Sequence, residues 1–226
     1  LKKVESIITD PVWPNALASL AGSEDPYGLF QEFCEILPKG LERLVIELGC
    51  DSDPRFLQCV PDRLKIIRVC WLDYLIPSYK GRILYTGDVA YAFGKPPSSI
   101  PGRRLLSGKC TSRNQDKIFA RKTGRNRTGR RPTAVPADGL PHPTPRRLDH
   151  AKWLVKNFSQ SQVVDPFMGS GTMAVAAKHL NRQFIGIEIK EEYCQLAVKR
   201  LRQEVMKIDT NPGPARDEGV KNRKLL

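Results

Sequence analysis

The chain holds no C-x-x-C pair. Its six cysteines, Cys34, Cys50, Cys59, Cys70, Cys110 and Cys194, stand apart, which excludes the usual zinc-ligand spacings. No apolar run approaches the roughly 18 residues that suggest a membrane span, and the first residues carry no signal-peptide pattern. Reduced thiols and an intracellular, cytoplasmic location are therefore expected. A Gly-Lys-Ser/Thr triplet is missing, so no triphosphate-cradling P-loop is present. Internal repeats are absent. Acidic residues are in short supply: 24 Asp and Glu face 37 Lys and Arg, a formal charge of +13 over 226 residues. With 40% hydrophobic and 27% charged residues the rest is ordinary globular usage, which excludes a mostly disordered or fibrous chain. The length suits one large domain or one domain with an insertion. A polyanion, nucleic acid or an anionic membrane surface, is the natural partner of such a charge.

That charge is concentrated. Residues 95–147 hold fourteen Lys or Arg against Asp116 and Asp138, a net of +12. The segment is rich in Gly, Pro, Ser and Thr and poor in periodic apolar residues, so it reads as a loop-rich insert. Arg121, Lys122, Arg125, Arg127, Arg130 and Arg131 are its candidate phosphate contacts. The plainer alternative is a solvated basic loop without a partner.

Outside this insert, strand and helix patterns alternate. Val4–Thr9, Arg43–Leu48 and Leu64–Leu72 read as strands, and Arg82–Thr86 with Val89–Phe93 as a hairpin or two short strands. Tyr27–Leu37 and Leu148–Phe158 have helical spacing. A strand over Gln162–Phe167 leads to a helix over Thr172–Leu180 with Thr172 as N-cap, and a strand over Phe184–Ile189 leads to a helix over Glu191–Val205. Strands with continuous apolar runs, alternating with helices, predict an α/β, Rossmann-like doubly wound and mainly parallel sheet. Four segments follow: one over 1–94, the basic insert over 95–141, one over 142–207, and a frayed, flexible tail over 208–226.

The sharpest local signal is Val164-Asp165-Pro166-Phe167-Met168-Gly169-Ser170-Gly171-Thr172. A strand enters, glycines make the turn, and a helix of small residues leaves with free N–H groups at its start. Glu188, seventeen residues past Gly171, stands where a carboxylate can accept both hydroxyls of an adenosine ribose. Gly169-x-Gly171-x-x-Ala174 also satisfies the dinucleotide fingerprint, so a nicotinamide or flavin oxidoreductase competes. Against it, Asp165 would repel a pyrophosphate but welcome a ligand ammonium, and the unit has no second nucleotide half after it.

Taken with Thr9-Asp10-Pro11-Val12-Trp13-Pro14-Asn15, the turn becomes specific. The chain resembles the S-adenosylmethionine-dependent amino-methyltransferases of DNA. Asp165–Thr172 matches their cofactor motif D-P-F-x-G-x-G-T without change. Asp10-Pro11-Val12-Trp13 matches the catalytic motif (D/N/S)-P-P-(Y/F/W), with Val12 where a second proline is usual. His142-Pro143-Thr144-Pro145-Arg146-Arg147 is similar to their His-Pro-Thr motif. The order of these motifs is that of the subclass called beta, and the resemblance covers about residues 5–205; it implies a catalytic half over 1–94, a candidate target-recognition region over 95–141 and a cofactor-binding half over 142–207. It leaves one strand unaccounted for, the edge strand that usually follows the Glu188 unit; such a strand is either missing or supplied by sequence upstream of Leu1.

The resemblance implies a class I methyltransferase fold, S-adenosylmethionine as cofactor and double-stranded DNA as partner, within restriction-modification; a homodimer is left open and no membrane is involved. It implies Asp10 and the Pro11 carbonyl as acceptors for the hydrogens of an exocyclic amine, and Trp13 as a platform for a base rotated out of the duplex. Asp165, Phe167, Gly169, Gly171 and Thr172 would hold the methionine end, Glu188 the ribose, and Thr144 the carboxylate side. His142 is a structural motif residue in this scheme. Asp at position 10 favours adenine N6 as target, with cytosine N4 as runner-up; a catalytically weak relative that only binds DNA and cofactor is the third reading. RNA is not excluded.

Overall fold

The structure, a computed structural model, describes residues 4–14, 20–80, 82–98, 108–112 and 146–209. Seven strands form one sheet: β1 (Ser6–Thr9), β2 (Arg43–Gly49), β3 (Ile66–Lys80), β4 (Ile83–Gly94), β5 (Lys109–Ser112), β6 (Gln162–Asp165) and β7 (Gln183–Gly186). Their spatial order is β5-β3-β4-β2-β1-β6-β7. β1 pairs in parallel with β2 and β6, β6 with β7, and β3 with β5, while β4 runs antiparallel to β2 and β3. The helices are α1 (Pro26–Glu35), α2 (Leu148–Phe158), α3 (Thr172–His179) and α4 (Glu191–Asp209), with a 3-10 turn over Pro54–Cys59.

Alternation along the strands builds two cores, one on each face of the sheet. Ile7, Leu44, Ile46 and Leu48 meet Phe30, Phe33 and Leu37 on and after α1. Ile8, Val45 and Val163 point the other way and meet Ala151, Leu154, Val155 and Phe158 of α2 and Met173 and Ala176 of α3. Both faces of β1 are therefore covered, and all four of its residues are buried, the polar Ser6 and Thr9 included. α1 starts where Asp25 accepts from Gly28 N at 2.9 Å and Pro26 opens the helix. Its Phe30 stacks on Phe56 with ring centroids 4.3 Å apart.

One polar staple joins the halves beneath the sheet. Arg43, buried, donates to Glu5 at 2.7 Å and to the Phe158 carbonyl at 2.8 Å. Glu5 also accepts from the backbone N–H groups of Gln160, Ser161 and Gln162. These hydrogen bonds hold the Glu5 carboxyl at about 2, below its ordinary value, although partial burial acts the other way.

Four expectations change in detail. Residues 83–94 form one strand rather than two, because β4 is paired along its length with β3. The strand expected over Phe184–Ile189 ends at Gly186, short of Glu188, where the chain turns toward the Asp165 loop: Ile187 N donates to Asp165 O and Met168 N to Ile187 O. Gly171, not Thr172, caps α3; it sits at φ +78°, and Thr172 is the first helical residue. The basic insert is not all loop, since Lys109–Ser112 pairs with Trp71–Tyr74 as β5. At the opposite edge β7 pairs with β6 only, and Ile185, Ile187 and Ile189 near it are exposed; among the described residues no strand follows it. Arg121, Lys122, Arg125, Arg127, Arg130, Arg131, His142 and Thr144 lie outside the described residues, as does the tail beyond 209.

Candidate active site

From β1 the chain proceeds to β2 on one side; from β6 it proceeds to β7 on the other. β1 and β6 are parallel neighbours, so the strand order reverses between their carboxyl ends, the place where open α/β sheets bind ligands. Two motifs emerge there side by side, Asp10–Trp13 after β1 and Asp165–Gly171 after β6. They touch: Thr9 Oγ1 donates to Asp165 Oδ1 at 2.7 Å. A cavity of about 700 Å³ opens at this point, within the range of small-molecule sites. Asp10, Pro11, Val12 and Trp13 line one part of it, and Asp165, Phe167, Gly169, Thr172 and Glu188 another.

The turn is pinned from three directions. Phe167 packs edge-on against Phe33 of α1 at 5.5 Å. Glu188 accepts from Gly169 N at 2.8 Å and from Lys190 N at 2.9 Å. Arg200 of α4 donates to the Ser170 carbonyl at 2.7 Å and to the Ser170 and Thr172 hydroxyls at 3.1 Å. Gly171 does not line the cavity; its role is packing, because a Cβ there would stand 2.6 Å from Ala197 Cβ. Burial pushes the Asp165 carboxyl up to about 7, against the Thr9 and Phe167 hydrogen bonds. A ligand ammonium would return this group to its charged form. Glu188 keeps acceptor capacity beyond its two backbone donors. The cavity, the bare backbone at the turn and these two carboxylates suit a ligand with an ammonium at one end and a ribose at the other.

Asp10 is more constrained than the sequence suggested. Trp13 Nε1 donates to its Oδ1 at 2.9 Å, and Arg146 donates to Oδ2 through Nε at 2.5 Å and to Oδ1 through Nη2 at 2.9 Å. Arg146 Nη1 lies 3.0 Å from Asp88 Oδ2 and its Nε lies 3.7 Å from Glu47 Oε1. Its guanidinium covers the Trp13 ring at 4.0 Å. Tyr74 Oη donates to Asp88 at 2.5 Å, Arg147 lies over the Tyr74 ring at 3.9 Å, and His150 stacks on the same residue at 5.9 Å. Burial pushes Asp10 up to about 6 and Glu47 to about 8; Arg146 opposes both shifts. Burial alone would lower Arg146, but Asp10, Asp88 and Glu47 outweigh it and keep the guanidinium protonated.

Arg146, Glu47, Asp88 and Tyr74 were not among the expected site residues. Two signals were there to be read. Glu47 is a lone acid inside the apolar strand Arg43–Gly49, and it is wholly buried with neither oxygen hydrogen-bonded. Arg146 falls within the His-Pro-Thr motif. Glu47, Asp88 and His150 bring ligand atoms within 4.8 Å of one another, as a metal trio would, but the Arg146 guanidinium already supplies positive charge to two of them and would repel a divalent cation.

Residues 71–199, more than half of the chain, match the model of the N6_N4_Mtase family, described as DNA methylase. The chain belongs to this DNA methylase family. Membership sets aside the dinucleotide-dependent oxidoreductase reading of Gly169–Ala174. Among relatives, the type II methyltransferase M.HpaI of Haemophilus parainfluenzae is 43% identical over 72 residues, 31% of this chain and 23% of its own length. The type II methyltransferase M2.DpnII of Streptococcus pneumoniae is 45% identical over 65 residues, 28% of this chain and 24% of its own. The matches thus span about a quarter of those relatives. Among solved structures, the M1.HpyAVI–SAM complex superposes with a TM-score of 0.59 at 22% identity, covering 88% of this chain and 89% of that one. The PvuII DNA methyltransferase, cytosine-N4-specific, gives 0.60 at 15% identity, covering 91% and 84%. These likenesses carry the fold, a class I methyltransferase sheet. No described helix is long and apolar enough to cross a membrane.

Proposed function

We propose that this chain transfers a methyl group from S-adenosylmethionine to the N6 amine of adenine in double-stranded DNA, as the modification activity of a restriction-modification pair. The observation that carries the reading is that Asp10–Trp13 and the Asp165–Thr172 turn line one cavity; this supports reading Asp10 as an amine acceptor beside a subsite for an ammonium-bearing nucleoside. When bound, S-adenosylmethionine supplies an electrophilic methyl group on a sulfonium. Asp165 and the Phe167–Thr172 backbone hold its amino-acid end, Glu188 its ribose, and Thr144 closes the carboxylate side.

The exocyclic amine is a poor nucleophile because its lone pair is delocalised into the ring. Asp10 accepts one amine hydrogen and the Pro11 carbonyl the other, turning the lone pair out of the ring plane; as the carbon–nitrogen bond forms the methyl carbon–sulfur bond would break, the neutral thioether would leave, and the surplus proton of the methylated amine would pass by way of Asp10 to solvent. The gain comes from in-line positioning and fixed dipoles rather than from covalent catalysis. Trp13, which lines the cavity, contributes its ring to a base taken out of the stack. The basic residues Arg121, Lys122, Arg125, Arg127, Arg130 and Arg131 contact DNA phosphates.

Cytosine N4 is the second reading, favoured by the likeness to the cytosine-N4-specific PvuII enzyme. The test is methyl transfer from labelled S-adenosylmethionine to unmodified DNA, followed by digestion to nucleosides. N6-methyladenine supports the proposal, N4-methylcytosine the second reading, and cofactor and DNA binding without transfer defeats both.

A further inference from the structure

Arg146 joins the basic segment to α2, and its side chain is 14% exposed. It belongs to no acceptor or cofactor role in the reaction above, yet its guanidinium is the hub of the polar groups around Asp10. Its Nε and Nη2 bond both oxygens of Asp10, Trp13 Nε1 bonds Oδ1 as well, and Nη1 is held by Asp88. A carboxylate offers about four acceptor positions. Among the described residues, donors fill two on Oδ1 and one on Oδ2, which leaves a single position on Oδ2.

Resting on the reading of Asp10 as amine acceptor, we propose that Arg146 is the positioning residue of that carboxylate, clamping it with a planar two-pronged contact so that one Oδ2 lone pair faces the target amine. A guanidinium can do this and an ammonium cannot, because only the former presents two N–H groups in a fixed fork. Trp13 serves the same clamp: its ring is the floor under the guanidinium and its N–H the third donor to Asp10. Asp88, itself bonded by Tyr74, holds the far side of the guanidinium.

Charge follows geometry. Among the described residues, the charged groups that interact with Asp10 are Arg146, Asp88 on β4, Glu47 on β2 and Asp165 after β6; of these Arg146 alone is positive. Acceptance of an amine hydrogen needs ionised Asp10, so turnover rises with pH through the Asp10 titration. Burial pushes that titration up to about 6 and Arg146 pulls it down. Without the guanidinium the titration moves further up, and the acid limb of the rate profile moves with it.

The experiment is the rate of methyl transfer at saturating S-adenosylmethionine and DNA, from about pH 5 to 9, for the wild type, Arg146→Lys, Arg146→Gln and the double variant Glu47→Gln with Arg146→Gln. The double variant guards against misfolding: it removes a buried carboxylate together with the cation, and Glu47, pushed up to about 8, is mostly neutral at pH 7 already. Either Gln variant should shift the acid limb upward by about one pH unit or more, with a plateau down roughly tenfold. Arg146→Lys should keep the limb within about half a unit, because charge is retained, and still lose roughly tenfold in rate, because the fork is not. A limb that stays in place in both Gln variants, or a lysine variant with full turnover, overturns the inference. Asp10→Ala is measured in parallel. If it keeps more than about a tenth of wild-type turnover, the amine-acceptor reading itself falls; if it is inactive while the Gln variants keep the wild-type limb, only the role of Arg146 falls.

Discussion

Replacing Gly171 by alanine separates two costs that the cofactor turn imposes. Gly171 sits at φ +78°, ψ 28°, the left-handed region, where a residue with a Cβ loses roughly 1–2 kcal/mol. The added Cβ would also lie 2.6 Å from Ala197 Cβ and 3.1 Å from Ala197 Cα on α4, too close for either to remain in place. Overpacking of this kind costs about 1–3 kcal/mol. The sum is roughly 2–5 kcal/mol, which for a chain of this size lowers the melting temperature by about 4–20 °C. Cofactor affinity should fall too, since α3 and the N–H groups of the turn cannot keep their positions while α4 is pushed away. Ala197→Gly in the same chain removes the 2.6 Å contact, leaves the milder 3.1 Å approach to Cα and the backbone strain, and adds a helical glycine worth about 1 kcal/mol. The double variant should therefore regain cofactor affinity more fully than stability. Melting by calorimetry, with titration of S-adenosylmethionine into each variant, reads both. Gly171→Ala melting within about 2 °C of the wild type, a loss of 1 kcal/mol or less, would refute the reasoning, as would a double variant that recovers neither property.

Two further outcomes follow from charge. Glu47, Asp10 and Asp165 all have carboxyls pushed up by burial, to about 8, 6 and 7; such groups bind their protons more tightly folded than unfolded, so the stability they confer is complete below about pH 4 and is lost as pH rises toward 8. Melting temperature should therefore fall between pH 5 and 8, and Glu47→Gln should flatten that fall; an equal slope in the variant would mean that Glu47 is already ionised at pH 5. DNA affinity should fall steeply with salt, and replacing Arg125, Arg127, Arg130 and Arg131 by alanine should flatten the log–log slope by about 0.9 for each phosphate that is no longer neutralised; an unchanged slope in a filter-binding series would remove the basic segment from the interface.

The sheet was legible because its strands are carried by local pattern. The short apolar stretches within Val4–Thr9 and Gln162–Phe167 give β1 and β6, adjacent inner strands whose consecutive apolar residues, Ile7 with Ile8 and Val163 with Val164, enter the cores on opposite faces. Edge and boundary details were not legible. Phe184–Ile189 looks like one strand by composition, yet only Gln183–Gly186 pairs with β6; beyond it the chain is drawn to the Asp165 loop by the Ile187 and Met168 backbone bonds. Lys109–Ser112 has no strand signature of its own and is a strand because β3 offers it an edge. Thr172 is a good N-cap by type, but Gly171, with its positive φ, takes the cap position and leaves the Thr172 hydroxyl to Arg200.

The site divides in the same way. Asp10, Trp13, Asp165 and Gly169 stand in short contiguous motifs, which can be read because neighbouring residues act together through one turn; Glu188 is read by its distance from that turn, one helix and one strand further on. Arg146, Asp88, Glu47 and Tyr74 come from four separate segments and meet only after the sheet has folded, so no spacing rule connects them. Their presence still follows from physics once the fold is known. A carboxylate placed at the end of a buried central strand meets other acids there, and each burial raises its titration. Left to itself Asp10 would be protonated, and a protonated carboxyl has less acceptor capacity at the atom that must receive an amine hydrogen. One buried guanidinium, shared among three acids and floored by Trp13, keeps this carboxylate charged and aimed at the cost of leaving Glu47 without a full partner. Glu47 is what remains of that compromise: a group whose removal should make the protein more tolerant of high pH without adding to its chemistry.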